Sequence, residues 1–262
     1  MFTTECRSFR IRVFWDKKGG FKMNTAVIFA GGIGRRMNSK ALPKQFLKLY
    51  GKEIIVYTLE HFENHPQIDH IVVACVEEWI PFLKDLTEKY RLDKVAKIVP
   101  GGETGQDSIY AGLEAASGLS DGEEQIVLIH DGVRPLIDEQ VITDCIRSVK
   151  EKGSAITVAP AIETIIRVDE NRQVSETIER ADCLMARAPQ CFYLSDIMKA
   201  HGKAQEEGRH DFIDSASIMK HYGYSLSTVD GPVENIKITT PMDFYTFRAL
   251  FEARESSQLF GI

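Results

Sequence analysis

Apolar positions along most of the chain fall into two alternating rhythms. Compact runs rich in β-branched residues recur at "NTAVIFA" (24–30), "IDHIVVACV" (68–76), "VAKIV" (95–99), "QIVLIH" (125–130) and "SAITVAP" (154–160). Short continuous apolar runs of this kind predict strands buried on both faces. Between them, apolar residues spaced three and four apart predict helices over 54–65, 77–90, 104–116 and 138–153. Pro81 falls near a first helical turn, where proline is tolerated, and Gly153 is a normal helix stop. The repeated βα unit predicts an α/β fold, Rossmann-like and doubly wound, around a mostly parallel sheet.

The rhythm breaks after Pro160. The segment "ETIIRVDENRQVSETIE" (163–179) predicts two strands around a polar turn, a β-arm projecting at about 161–185. Helices are expected again at 194–208, 214–223 and 241–255, and the stretch 234–240, which holds Lys237, is strand-like. With no internal repeat or low-complexity linker, residues 23–262 are expected to form one domain carrying the arm. Residues 1–22 are basic but lack the apolar core of a secretory signal, so they read as an N-terminal extension or a short ordered strand.

Charge and cysteines exclude several classes. The net charge of −6 is opposite to that of a general nucleic-acid binder. No run approaches the roughly 18 apolar residues of a membrane span. The five cysteines are scattered with no C-x-x-C pair, which argues against a metal or redox motif and suits the cytoplasm.

The polar motifs follow predicted strands, where ligands bind in doubly wound sheets. "AGGIGRRM" (30–37) is not a dinucleotide fingerprint, because Met37 stands where a third glycine is needed. It is not a Walker loop either, as no G-K-[ST] follows. Gly31, Gly32 and Gly34 let backbone approach a phosphate, with Arg35, Arg36 and Lys44 to supply charge; a tight turn with solvated arginines is the plainer alternative. In "GGETGQDS" (101–108), Gly101 and Gly102 offer close approach, and Ser108 either meets a base or sugar or caps a helix. In "HDGVRP" (130–135), Asp131 is a candidate for Mg²⁺ or a substrate hydroxyl and Arg134 for a phosphate, unless the two simply form a salt bridge. Lys237 in a strand-like stretch calls for an anionic partner.

Taken in order, "AGGIGRRM…PKQ", "GGETGQDS", "HDGVRP", "ETI", "IER", "APQ", "DSAS" and "NIKITTP" resemble the polyol-phosphate cytidylyltransferases, the nucleotidyltransferase family of the methylerythritol 4-phosphate and ribitol 5-phosphate enzymes. The resemblance implies that Arg36 and Lys44 stabilise the transition state at the α-phosphate of CTP. It implies that Phe29, Ala30, Gly31, Gly32, Gly101, Gly102 and Ser108 hold the cytidine. Asp131 and Arg134 would line the polyol-phosphate and metal region, and Arg180 and Lys237 would place the acceptor phosphate. Gly34, Glu103, Asp107, Thr164 and Asp214 fall within the matching motifs and join the substrate-binding set. Mg²⁺ is the implied cofactor, held mainly by the CTP phosphates. The arm resembles a dimerisation arm, so a homodimer is implied, with Arg180 completing the partner's site.

Three positions depart from the family pattern. Gly105 stands where arginine is frequent, Ala188 where T-P-Q has threonine, and Ile213 where T-D has threonine. The last two losses point to ribitol 5-phosphate as acceptor and CDP-ribitol as product, with the methylerythritol enzyme of isoprenoid biosynthesis as the alternative. The ribitol type includes modules fused to a reductase, so any reductase partner would be a separate protein. A non-catalytic nucleotide-binding regulator is the reading from another class, and the Arg36, Lys44 and Lys237 set argues against it.

Overall fold

The computed structural model describes residues 23–32, 42–120 and 122–260. The N-terminal segment 1–22, Gly34, Arg35 and Arg36 lie outside them. Eleven strands are described: β1 (Met23–Ala30), β2 (Lys48–Leu49), β3 (Lys52–Glu53), β4 (His70–Cys75), β5 (Val95–Pro100), β6 (Gln125–Asp131), β7 (Ser154–Pro160), β8 (Ile165–Val168), β9 (Val174–Ile178), β10 (Leu184–Tyr193) and β11 (Thr228–Asp230). The α-helices are α1 (Ile54–Glu63), α2 (Ile80–Tyr90), α3 (Gly105–Ser117), α4 (Glu139–Lys152), α5 (Leu194–Glu206), α6 (Ser215–His221) and α7 (Pro241–Phe260).

Seven strands form the central sheet in the order β11-β7-β10-β6-β1-β4-β5. All pairs within it are parallel except those made by β10, which runs antiparallel to both β6 and β7. The reversal of strand order between β1 and its neighbours β4 and β6 is the switch point at which such sheets open a ligand crevice. Phe29 and Asp131 are register partners at the carboxyl end of that pair.

Alternation along the strands splits the core between two faces. Ala26, Ile28 and Leu128 face one cluster with Leu59 and Phe62 of α1 and Ile142 and Ile146 of α4. Val27, Val127 and Ile129 face the other with Leu113 of α3, Ile197 of α5 and Ile218 of α6. Apolar runs were expected here because each strand is covered on both sides.

The helix ends have local causes. Thr104 caps α3 by accepting from the Asp107 N–H while Asp107 reaches back to the Thr104 N–H, a reciprocal box. Asp138 caps α4, which stops at Gly153 with φ 84°.

One expectation needs correction. Residues 234–240 form no strand, although Ile236 and Ile238 alternate into a cluster with Tyr57 and Phe247 of α7. Lys237 therefore stands on an extended loop, tied to the sheet by the Ile238 N–H donating to the Val133 carbonyl at 2.9 Å. The strand β10 was not anticipated, yet it sits near the middle of the sheet. The arm matches its expectation: among the described residues β8 and β9 pair only with each other, in antiparallel register.

Candidate active site

A cleft of about 430 Å³ opens at the carboxyl end of β1 and β6. Phe29, Asp131 and Arg134 lie on it, with the start of α3 on one side and Arg187, Ala188 and Lys237 on the other.

The glycine loops that follow β1 and β5 are shaped by close backbone approach. A Cβ on Gly31 would stand 2.9 Å from Ser108 Oγ, and one on Gly101 would stand 2.8 Å from the same atom. Both positions therefore exclude a side chain as long as Ser108 stays between them. Ser108 is buried; its Oγ donates to the Thr104 carbonyl at 2.9 Å and accepts from the Gly102 N–H at 3.0 Å. The expectation that Ser108 caps the helix is corrected: Thr104 is the cap of α3, and the Ser108 bonds instead shape the Gly101–Gly102 loop. Lys44 begins a short 3-10 helix anchored by Gln45, whose Nε2 donates to the Ala30 carbonyl at 2.8 Å. Its side chain passes over Gly32, with Cε 3.8 Å from where a Cβ would stand.

The charged centre is built around Asp131. Its Oδ1 lies 2.6 Å from Lys237 Nζ, and its Oδ2 accepts from Arg134 Nε at 2.8 Å. Burial alone would raise the Asp131 carboxyl, but Lys237 and then Arg134 reverse this and hold it well below the usual carboxylate range. The salt bridge expected as the plain alternative is present, and Lys237 has the anionic partner its position called for. Behind Asp131, His130 is buried and its Nε2–H donates to the Arg134 carbonyl at 3.2 Å. Burial pushes its pKa down to about 3, so the ring stays neutral at pH 7.

The opposite wall comes from the loop between α5 and α6. Gln106 Nε2 donates to the Arg209 carbonyl at 2.7 Å, and its Oε1 accepts from the Phe212 N–H at 3.2 Å. His210 Nδ1 meets Asp107 Oδ1 at 2.8 Å. Burial opposes ionisation of Asp107, but bonds from His210 and Thr104 win and lower its pKa. Asp214 is occupied by structure: it accepts from the Ser217 N–H and hydroxyl and from Gln190 Nε2.

Several expected site residues are not brought to this cleft. Glu103 and Thr164 are exposed and do not line it, and Arg180, on the arm, donates to the Ile162 carbonyl at 3.2 Å instead. Arg187, Gln190, His210 and Asn235 were missed. The last donates from Nδ2 to the Ala188 carbonyl at 2.8 Å and fixes the Lys237 loop against β10. Among the described residues no group of three or more His, Cys, Asp or Glu side chains could hold a metal. No helix is long and apolar enough to cross a membrane among those residues.

A glycine-shaped loop beside a lysine, and a cationic centre built on one carboxylate with no nucleophile–base pair among the described residues, suit group transfer between two phosphates rather than covalent catalysis. On this sheet that defines a nucleotidyltransferase. The family profile described as "IspD: 2-C-methyl-D-erythritol 4-phosphate cytidylyltransferase" matches residues 24–253. Ribitol-5-phosphate cytidylyltransferase of Streptococcus agalactiae serotype III (strain NEM316) is 52% identical over 92% of this chain and 100% of its own length. The 2-C-methyl-D-erythritol 4-phosphate cytidylyltransferase of Clostridium botulinum (strain 657 / Type Ba4) is 37% identical over 87% of this chain and 97% of its own. Among solved structures, the 4-diphosphocytidyl-2C-methyl-D-erythritol synthase of Anaerococcus prevotii DSM 20548 superposes with a TM-score of 0.76 at 26% identity, over 88% of this chain and 96% of that one. The chain belongs to the IspD family of cytidylyltransferases. It is a CTP-dependent nucleotidyltransferase with the fold and class that its motifs imply.

Proposed function

We propose that the enzyme transfers CMP from CTP to ribitol 5-phosphate, giving CDP-ribitol and pyrophosphate. The observation that carries this is the identity gap: 52% to a ribitol-5-phosphate enzyme against 37% to a methylerythritol one, each over most of the chain. The absence of a hydroxyl at Ala188 and Ile213, both on the cleft, agrees with it.

In the proposed reaction a phosphate oxygen of the acceptor attacks the α-phosphorus of CTP. The bond from that phosphorus to the bridging oxygen breaks, and pyrophosphate leaves with the electron pair. Lys44, beside Gly32, suits charge growing on the α-phosphate, with Arg36 assigned the same task from its motif. Lys237 and Arg134 suit the acceptor phosphate, and Asp131 holds both in place. Arg180 and Thr164, on and beside the arm, are assigned to a partner's cleft. Both Asp131 oxygens keep lone pairs beyond their ion pairs, so a single-carboxylate contact to Mg²⁺ held mainly by the triphosphate fits. When bound, that ion would supply neutralising charge.

The arm supports a homodimer. Ile162, Ile166, Val168, Val174 and Leu184 are all exposed there in the single chain. An isolated two-stranded hairpin is marginal in water, so an isologous partner would bury this surface. Cytoplasmic location and a separate reductase partner belong to the same proposal; Cys75, Cys145, Cys183 and Cys191 are free thiols, which suits a reducing compartment.

The test is a competition with equal ribitol 5-phosphate and 2-C-methyl-D-erythritol 4-phosphate at limiting CTP. Ribitol 5-phosphate should win by at least about tenfold in kcat/KM, or about 1.4 kcal/mol. Predominance of the methylerythritol product would overturn the acceptor and leave the cytidylyltransferase class intact.

A further inference from the structure

Arg187 belongs to none of the motifs that point to the reaction, yet it lines the cleft. It stands where β10 departs from regular register between Ala186 and Gln190. Its guanidinium is anchored by one nitrogen: Nη1 donates to the carbonyls of Val233 at 3.0 Å and Asn235 at 2.8 Å. Both carbonyls lie on the loop that carries Lys237. The Asn235 carbonyl also accepts from Arg134 Nη1 at 2.8 Å. One backbone oxygen therefore draws two guanidinium groups together against their mutual repulsion. Asn235 is fully buried, so this pin is fixed.

The charges do not balance. Lys237 and Arg134 form ion pairs with Asp131, whereas Arg187 forms none among the described residues. Three cations share one ion-paired carboxylate, which leaves this side of the cleft with an excess of positive charge. Glu234 attracts Arg187 without forming an ion pair. Arginine offers five donors in a planar fork. With Nη1 spent on two carbonyls, Nε and Nη2 have no protein acceptor among the described residues. A phosphate monoester dianion matches both the excess charge and the fork.

We propose that Arg187 is a direct ligand of the acceptor's phosphate and selects for a phosphorylated acceptor. This rests on the acceptor being a polyol phosphate. The acceptor is favoured over CTP by position. Gly31, Gly101 and Lys44 gather near the ends of β1 and β5, while Arg187 lies on β10, across β6 from them.

The test uses the full chain with Arg187→Gln and Arg187→Lys. Loss of one charge-assisted bond should raise KM for the polyol phosphate by about ten- to a hundredfold in Arg187→Gln, with KM for CTP within about twofold. Arg187→Lys should recover part of the loss, since it keeps charge but not the fork. Inorganic phosphate should raise Tm in the wild type and raise it less in Arg187→Gln. A residue that only tied β10 to the loop would lower Tm without phosphate and disturb both KM values alike, leaving the phosphate-induced shift unchanged. That pattern, or an unaltered acceptor KM in Arg187→Gln, overturns the proposal. Should the wild type release no pyrophosphate with any polyol phosphate, the acceptor reading falls, and the phosphate-induced shift still decides the role of Arg187.

Discussion

Replacing His130 with Gln should make the enzyme less sensitive to acid. His130 ends the buried part of β6, one residue before Asp131, and is 1% exposed. Its Nε2–H donates to the Arg134 carbonyl, and Nδ1 has no partner among the described residues. Burial first, then the charges of Arg134 and His61, lower its pKa from the ordinary 6.5 to about 3, against the opposing pull of Asp131. The unfolded chain thus accepts a proton that the folded chain refuses. Its contribution to stability is complete above pH 6.5 and declines as pH falls towards 3. Between pH 7 and pH 5 the linkage relation gives a loss of about 2 kcal/mol from this ring alone. Gln can still donate to the Arg134 carbonyl but cannot titrate. Urea unfolding at both pH values, for wild type and His130→Gln, isolates the effect. The lowered pKa values of His61, His65 and His201 are common to both chains and cancel in the difference. Wild type should lose about 2 kcal/mol more than the variant over that interval. Equal losses would show that His130 titrates normally, and the account of its neutral, buried state would be wrong.

Two further outcomes follow from the same geometry. On the proposed reaction, Lys44→Ala should lower kcat by roughly two to three orders of magnitude with a smaller effect on nucleotide binding, because the charge assigned to the α-phosphate would be lost; pyrophosphate release checks this, and a near-normal kcat removes the role. Gln106→Ala should cost about 1–3 kcal/mol by leaving the Arg209 carbonyl and the Phe212 N–H unpaired; thermal unfolding measures it, and an unchanged Tm would mean the α5–α6 loop is held by its other contacts.

The parts of this fold that were legible are those whose burial is continuous in sequence. β1, β4, β6 and β7 are covered on both faces, so their apolar runs announce them. β10 was illegible because Arg187, Ala188 and Pro189 interrupt its pattern. The structure absorbs the interruption in a register shift between Ala186 and Gln190, and the ladder resumes. The stretch 234–240 erred the other way, since Ile236 and Ile238 alternate like a strand but pack on the α7 cluster without a ladder. At the site, Asp131, Arg134 and Lys237 were legible because each is a charge beside an apolar element. Asn235, Gln106 and Gln190 act by reaching residues far away in sequence, as Gln106 does to Arg209, and neither spacing nor composition carries that information.

The departures at the acceptor side differ in what they change. Ile213 is 94% exposed, so its apolar side chain stands at the rim of the cleft, where a lost hydroxyl matters least. Ala188 is 6% exposed and lies beside Arg187, where a missing donor would be felt by any bound hydroxyl. Gly105 acts through space. A Cβ there would stand 3.7 Å from the end of the Phe29 ring, in ordinary contact, so a longer side chain would narrow the cleft that both residues line. Its absence leaves the cleft wider beside Phe29. On the proposed reading this opening has a use. Ribitol 5-phosphate has a five-carbon unbranched backbone, whereas the methylerythritol substrate has four backbone carbons and a methyl branch. With the phosphate end held by the Arg134, Arg187 and Lys237 cations, the carbon chain would extend away from them into the rest of the cleft, whose lining includes Gly105, Gln106 and Phe212. Selectivity would then rest less on the two missing hydroxyls than on one missing side chain, and filling position 105 should penalise the longer acceptor more than the shorter one.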